Sequence, residues 1–152
     1  MFRFDTLSVS EPTMTSVQST LPAIGRLLLA FIFLFSGLGK LAAPDMMIGY
    51  IESAGLPFPQ LALWLAIAFE IGGGLLLVLG YQTRAAAVAL AIFTVVATLG
   101  FHTNFADQNE MIMFLKNAAI LGGLLQVIAF GAGAYSLDNR GGSLGRPAAA
   151  RA

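Results

Sequence analysis

The sequence has no cysteine, one histidine and few charges, and each scarcity excludes a class of chemistry. Without cysteine, the chain has no disulfide, no dithiol chemistry and no thiolate metal site. With His102 alone, the chain cannot supply a bis-histidine haem site or a histidine-rich copper or zinc site, so we predict no metal centre. Because the formal net charge is zero and no run of Lys or Arg occurs, we predict no nucleic acid partner.

The low charge also predicts a membrane protein. Only 11% of the 152 residues are charged and 57% are hydrophobic, whereas soluble domains carry about 25% charged residues. Long apolar stretches cover residues 24–41, 61–80, 85–102 and 111–132. Each has about the length that a helix needs to cross a hydrocarbon core, where the backbone must bond to itself. We therefore predict an all-α integral membrane four-helix bundle over residues 22–135.

The remaining segments are more polar. Residues 1–21 are rich in Ser and Thr and predict a disordered cytoplasmic leader, and residues 136–152 are rich in Gly, Arg and Ala and predict a flexible cytoplasmic tail. Between the first two spans, apolar residues at helical spacing after Pro44 predict a short amphipathic helix at about 45–54 on the membrane surface.

The distribution of charges predicts the orientation. Most arginines lie in the two terminal segments or beside the second connection. The acidic residues of the other two connections are Asp45, Glu52, Asp107 and Glu110. The positive-inside rule therefore predicts that both termini are cytoplasmic.

Glu70 is the exceptional residue of the second span. It follows the predicted start of that span by about nine residues, or about 14 Å along a helix, which is near the bilayer centre. A charge at that depth facing lipid costs at least about 2.5–3.5 kcal/mol. We therefore expect Glu70 to face the bundle and to have a partner or a proton.

Polar residues of the other three spans fall in the same half of the membrane. Ser36 and Lys40 are one turn apart on the first span, and polar residues recur every four positions on the third. We predict one pocket with Glu70 as its floor. Its candidate catalytic residues are Glu70, His102 and Lys116, and its candidate substrate or quinone contacts are Ser36, Lys40, Thr94, Thr98 and Asn117.

Each of these residues also has a structural interpretation. For Glu70, an ion pair that only locks the bundle competes evenly with a functional carboxylate. For Lys40, extension to the membrane interface is favoured, and for His102 a plain interfacial role is favoured. Lys116 is expected to pair with Glu70. The glycine pairs within the spans predict close helix approach.

Four stretches in this order, "RLLLAFIFLFSGLGKL", "FEIGGGLLLVLGYQTRAAA", "TLGFHTNF" and "MIMFLKNAAILGGLL", followed by "YSLD", resemble the DoxX family of bacterial membrane proteins. The resemblance runs from about Gly25 to Asp138. It implies a four-helix protein of the bacterial inner membrane, often part of quinone-linked oxidoreductase systems. The positions it carries over are Arg26, Ser36, Gly37, Lys40, Glu70, Gly73, Arg84, His102, Lys116 and Asn117.

Three functions fit these residues. The first is a subunit of a membrane oxidoreductase complex, which binds a quinone non-covalently and takes a proton on Glu70. Its partners would be a redox protein or further copies of the chain, together with the lipid bilayer. The second is a module that binds or transports a small solute or a proton, and the third is a non-catalytic assembly partner.

Overall fold

The computed structural model describes residues 16–144, and this part of the chain is helical without strands. Within residues 16–144, four helices are long and apolar enough to cross a membrane, which confirms the predicted all-α integral membrane bundle. The helices are α1 (Ser16–Ala42), α2 (Pro44–Ser53), α3 (Pro59–Leu79), α4 (Thr83–Phe101), α5 (Gln108–Phe130) and α6 (Leu137–Leu144). Of these, α2 and α6 are too short to span.

Local chemistry determines where the helices begin and end. Pro44 and Pro59 occupy the first turns of α2 and α3, where a missing N–H costs no hydrogen bond. Gly80 ends α3 in the left-handed conformation with φ of 62°, which is an ordinary conformation for glycine alone. Asp107 caps α5 because its carboxylate accepts a hydrogen bond of 2.7 Å from the N–H of Asn109.

The bundle is packed in its interior and apolar on its outside. Leu63, Leu77, Leu90 and Leu124 are fully buried between the helices. In contrast, many large apolar side chains are exposed, among them the stacked rings of Phe31 and Phe35 on α1. A soluble protein rarely exposes so much apolar surface, whereas a membrane protein presents such surface to acyl chains.

Some of the glycines permit close approach of helices, as predicted. A Cβ added at Gly73 or Gly74 would lie within 3 Å of a leucine side chain on a neighbouring helix. Gly72 and Gly122 have nothing within 4 Å of that position and face open space. The prediction therefore holds for Gly73, Gly74 and Gly123 and fails for Gly72 and Gly122.

The helices differ from the sequence prediction at both ends of the chain. α1 begins at Ser16, inside the segment predicted to be a disordered leader, and the rest of that segment lies outside the described residues. α6 lies within the segment predicted to be a flexible tail, and the Ser136 side chain accepts a hydrogen bond from the N–H of Asn139 and caps that helix. The flexibility of this segment stays a prediction. α2 occupies nearly the predicted range, and its position on a membrane surface stays a prediction.

Candidate functional site

Glu70 lies in an irregular turn of α3. The residues Ala68–Gly72 form a π-helical turn between two α-helical halves. Such a turn inserts one residue into the helix and shifts the direction of the side chains that follow, and it is frequent at functional sites. The Glu70 side chain points into the bundle and the residue is only 4% exposed. The inward orientation predicted from the cost of a charge in lipid is therefore what the structure shows.

Three side chains form the ion-pair cluster, which we define as Ser36, Lys40 and Glu70. The Lys40 ammonium donates to both carboxylate oxygens of Glu70, each at 2.9 Å, and to the Ser36 hydroxyl at 2.8 Å. The Ser36 hydroxyl in turn donates to Glu70 Oε1 at 3.0 Å. Every member contacts the other two, so the buried carboxylate has both a counter-charge and a neutral donor.

The sequence of α1 explains why this cluster forms. Ser36 and Lys40 are one turn apart and therefore share a face of α1. Gly37, between them, lets the π-helical turn approach closely, since a Cβ there would lie 2.7 Å from Ile71 Cγ1 and 3.2 Å from Glu70 Cβ. The small residue and the two polar residues together place a hydroxyl and an amine against the carboxylate.

The prediction that Lys116 pairs with Glu70 was wrong. Lys116 is exposed on α5, where its amine contacts the Met113 sulfur at 3.3 Å, and the amine of the ion-pair cluster belongs to Lys40. Lys40, which was expected to extend toward the interface, instead folds back along α1 onto Glu70. The physical reason is that α5 packs mainly against α4, and the side of α5 that bears Lys116 borders a groove beside α1.

His102 belongs to a second polar cluster. It ends α4, and its Nδ1 lies 2.8 Å from Glu110 Oε2 at the start of α5. Beside it, Tyr50 of α2 stacks on Phe101 with ring centroids 5.2 Å apart. Burial, and then the charge of Glu110, raises the pKa of Tyr50. The one predicted pocket is thus divided, because His102 binds Glu110 instead of joining the ion-pair cluster.

The threonines of α4 face the interior, but their hydroxyls bond to their own helix. Thr94 donates to the Leu90 carbonyl at 2.7 Å and Thr98 donates to the Thr94 carbonyl at 2.6 Å. Both residues are buried. Asn117 is half-buried on α5. A substrate role for these three residues stays a prediction, and the two hydroxyl protons already have acceptors.

Comparison with known proteins identifies the family. The DoxX family model matches residues 21–103. The chain belongs to the DoxX family. Two relatives in Escherichia coli K12 are similar to this DoxX protein. Inner membrane protein YqjF is 38% identical over 115 residues, which is 76% of this chain and 87% of YqjF. Inner membrane protein YphA is 35% identical over 130 residues, which is 82% of this chain and 93% of YphA. No solved structure matches the chain.

The family model covers some of the candidate residues and ends before others. The matched segment runs through α1 and α4, so it includes the whole ion-pair cluster and His102. Lys116 and Asn117 lie beyond the family model, on α5, but the match to YphA covers 82% of this chain and therefore includes them. The part of this DoxX protein that the family model describes therefore holds the buried carboxylate together with its lysine and serine.

A further polar cluster lies at the opposite end of the bundle, and sequence reasoning missed it. The buried Arg26 guanidinium donates to the carbonyls of Ala132 and Tyr135, the latter at 2.8 Å. The Asp138 carboxylate accepts from the N–H groups of Gln82 and Thr83, at 2.8 and 2.9 Å. We call Arg26 and Asp138, with these backbone partners, the anchor cluster. The motif "YSLD" was a signal for it, but its partners lie 55 or more residues away.

The anchor cluster caps helix ends. Asp138 satisfies the first N–H groups of α4, and its own N–H donates to the Gly80 carbonyl at 2.9 Å. Burial alone would raise the pKa of Asp138, but the hydrogen bonds from Thr83 and Gln82 and the Arg26 charge outweigh it and lower that pKa. The segment after α5 is thereby fastened to the α3–α4 hairpin.

Proposed function

We propose that this DoxX protein is an inner-membrane subunit of a quinone-linked oxidoreductase complex, in which Glu70 receives a proton during quinol oxidation. The observation that supports the proposal is the buried Glu70 carboxylate, held at 2.9 Å from the Lys40 amine inside the bundle. Ionisable residues inside membrane spans are costly, and they commonly belong to proton or substrate pathways.

The ion-pair cluster has the chemistry of a proton acceptor. A quinol that becomes a quinone loses two electrons and two protons: the electrons would pass to a redox protein of the complex, one proton to Glu70 and the other to water at the membrane surface. Ser36 can carry the first proton to Glu70, since its hydroxyl donates to the carboxylate and the lone pair that Lys40 does not use can accept from the quinol. When Glu70 is protonated the ion pair is lost, and Lys40, whose side chain is 20% exposed, can turn toward the interface.

The proposed location is the inner membrane, with both termini in the cytoplasm. The relatives YqjF and YphA are named as inner membrane proteins. Arg26, Arg84 and Arg140 lie at the anchor-cluster end of the bundle, whereas Glu52 and Glu110 lie at the opposite end. The positive-inside rule assigns the arginine-rich end to the cytoplasm.

Glu70→Gln tests the proposal, because the amide keeps the size of the side chain and cannot take the proton. We expect a loss of quinone-dependent turnover in the complex purified in mild detergent, by about a hundredfold, which is the lower range for removing a general base. Glu52→Gln is the matched control, because it makes the same change on an exposed part of α2. Unchanged turnover in Glu70→Gln would remove Glu70 from the mechanism.

A second candidate function is that of an assembly partner without chemistry of its own. The specific observation in its favour is that Lys40 and Ser36 donate three hydrogen bonds to the Glu70 carboxylate oxygens. These bonds are sufficient for a purely structural connection between α1 and α3. A fully satisfied buried pair can be replaced by apolar residues at little cost. The double variant Lys40→Leu, Glu70→Leu would then assemble with its complex and support full turnover.

A further inference from the structure

Two cavities meet at the anchor-cluster end of the bundle. The first is an apolar groove of about 710 Å³ between α1 and α5, which opens on the surface that faces acyl chains. The second is a polar pocket of about 600 Å³, formed by the start of α4, the end of α5 and the segment that leads into α6. Phe130 and Gly131 line both cavities, so the polar pocket adjoins the end of the groove.

The groove has the length and the polarity of a site for an acyl chain. It follows α5 from Lys116 to Phe130, about 21 Å along the helix, whereas half of a hydrocarbon core is about 15 Å thick. Apolar side chains of both helices form its walls, among them Ile32 of α1 and Ile120 of α5. Gly25 also lines it, and a Cβ added there would meet nothing within 4 Å. An extended acyl chain can therefore enter from the anchor-cluster end and lie along the groove.

The polar pocket holds a cation that can bind an anion. Arg84, in the first turn of α4, lines the pocket and is exposed. A guanidinium has five N–H donors, but within residues 16–144 the hydrogen bond of Arg84 is a single long one, from Nη2 to the Ala129 carbonyl at 3.3 Å. Arginine binds phosphate through two parallel N–H donors. The exposed Gln82 lines the same pocket, and its amide supplies a neutral donor.

The carboxylate in the polar pocket already has its partners. Both oxygens of Asp138 accept hydrogen bonds from backbone N–H groups, those of Gln82 and Thr83, and the charge of Arg26 also acts on this carboxylate. The charge of Arg84 is therefore left for a ligand. Because Arg84 is in the first turn of a spanning helix, a phosphate beside it remains at the interface and its charge does not enter the hydrocarbon region.

From these features we infer that the two cavities together bind an anionic phospholipid of the leaflet at the anchor-cluster end, with its phosphate on Arg84 and one acyl chain in the groove. Basic pockets between membrane helices bind anionic head groups in this way. A zwitterionic phospholipid carries a cation beside its phosphate, which Arg84 would repel, whereas the glycerol head of phosphatidylglycerol adds no charge. The site contains no member of the ion-pair cluster, so it is independent of the proposed function.

The test is native mass spectrometry of the full chain in detergent, titrated with palmitoyl-oleoyl phosphatidylglycerol or with the phosphatidylethanolamine of the same acyl chains. The wild type should bind the phosphatidylglycerol more tightly. Arg84→Gln should weaken phosphatidylglycerol binding about tenfold or more, because hydrogen bonds between two charged groups are lost. Arg140→Gln is the matched control, since it removes the same charge from an exposed position on α6 outside the lining of both cavities.

A second pair of variants tests the groove. Gly25→Leu places a side chain in the open part of the groove and should weaken phosphatidylglycerol binding by excluding the acyl chain. Gly39→Leu is its matched control, because it makes the same change at an open position of α1 outside the groove lining. This pair tests the site even if Arg84→Gln does not fold.

Binding that depends on Arg84 and on Gly25, with Arg140→Gln and Gly39→Leu like the wild type, would support the site. Equal phosphatidylglycerol affinity in the wild type, Arg84→Gln and Gly25→Leu would overturn it, and so would equal affinity of the wild type for the two phospholipids. Loss of binding in Lys116→Gln but not in Arg84→Gln would also overturn it, since the head group would then lie at the other end of the groove. Displacement of phosphatidylglycerol by equimolar palmitate would identify a fatty acid site instead.

Discussion

The interior of the bundle and one of its ends use buried charge in different ways. In the interior, the ion-pair cluster joins side chain to side chain, with Lys40 and Ser36 on Glu70. At the end, the anchor cluster joins side chain to backbone, with Arg26 on two carbonyls and Asp138 on two N–H groups. The ion-pair cluster involves no backbone group, so the backbone hydrogen bonds there are those within the helices. The anchor cluster instead supplies partners for backbone N–H and C=O groups at the ends of helices.

This difference distinguishes the candidate functional cluster from the structural one. Helix ends leave N–H and C=O groups without partners, so the anchor cluster has a sufficient structural reason to exist. The ion-pair cluster has none of this kind, because a helix interior satisfies its own backbone. A carboxylate carried into the bundle without a backbone to satisfy is therefore the better candidate for function.

The largest expected effect is at the ion-pair cluster. Lys40→Leu should lower the free energy of unfolding by about 3–5 kcal/mol, because it leaves the Glu70 carboxylate buried without a counter-charge. Glu70→Leu should cost less, since the Lys40 side chain is 20% exposed and the Glu70 side chain only 5%. The double variant should lie within about 1 kcal/mol of the wild type. Denaturation of the protein in detergent micelles measures all three, and additive losses would show that the two side chains do not form a coupled pair.

The next largest effect is expected where an added side chain would fill the space beside the ion-pair cluster. Gly37→Ala should destabilise by about 1–3 kcal/mol, because the new Cβ would meet Ile71 Cγ1 at 2.7 Å. Gly39→Ala is the control on the same helix, with nothing within 4 Å of the added atom. It should be stabilising by up to about 1 kcal/mol, as alanine is the better helix former. Equal melting temperatures for the two variants would contradict the close approach of α3 to α1.

A smaller effect is expected at the anchor cluster. Asp138→Ala should cost about 0.5–2 kcal/mol, the range for losing a helix cap. The folded protein lowers the pKa of Asp138, so this stability is present above the ordinary value of about 3.9 and is lost as the pH falls through the lowered folded value. The variant should therefore lose less stability than the wild type on acidification. Glu52→Ala, on an exposed part of α2, should leave the acid dependence as it is.

The smallest effect is expected at the pair of His102 and Glu110. Both side chains are partly exposed, so His102→Gln should change the free energy of unfolding by only about 0.2–1 kcal/mol. A double-mutant cycle with Glu110→Gln isolates the coupling from other effects. A coupling as large as that of Lys40 with Glu70 would show that this pair too is buried in the folded protein, and would return His102 to the centre of the site.

The sequence predicted the four spans and the inward direction of Glu70, because both follow from short-range quantities. The length of an apolar run compared with the thickness of a bilayer predicts a span. The cost of a charge in lipid predicts that a carboxylate in the middle of a span turns inward. Neither argument needs the relative rotation of the helices.

Predicting the partner of Glu70, in contrast, requires the relative rotation of the helices. Lys40 lies in the last turn of α1 and Lys116 lies eight residues into α5, so depth along the helix favoured Lys116, which is the wrong amine. The choice was made by the packing of α5 on α4, which leaves Lys116 at the groove, and by Gly37, which brings α1 against the π-helical turn. His102 was assigned to the wrong cluster for the same reason, since Glu110 is near it only because α4 and α5 form a hairpin.

By itself, the sequence determined that this DoxX protein is a four-span helical bundle with a carboxylate in its interior, since hydrophobic length and the cost of a buried charge are properties of single helices. Only the tertiary structure decided which amine meets that carboxylate, that Asp138 caps a helix begun 55 residues earlier, and that a groove lies beside Lys116. These contacts depend on how helices rotate and pack against one another, which no periodicity along one helix specifies.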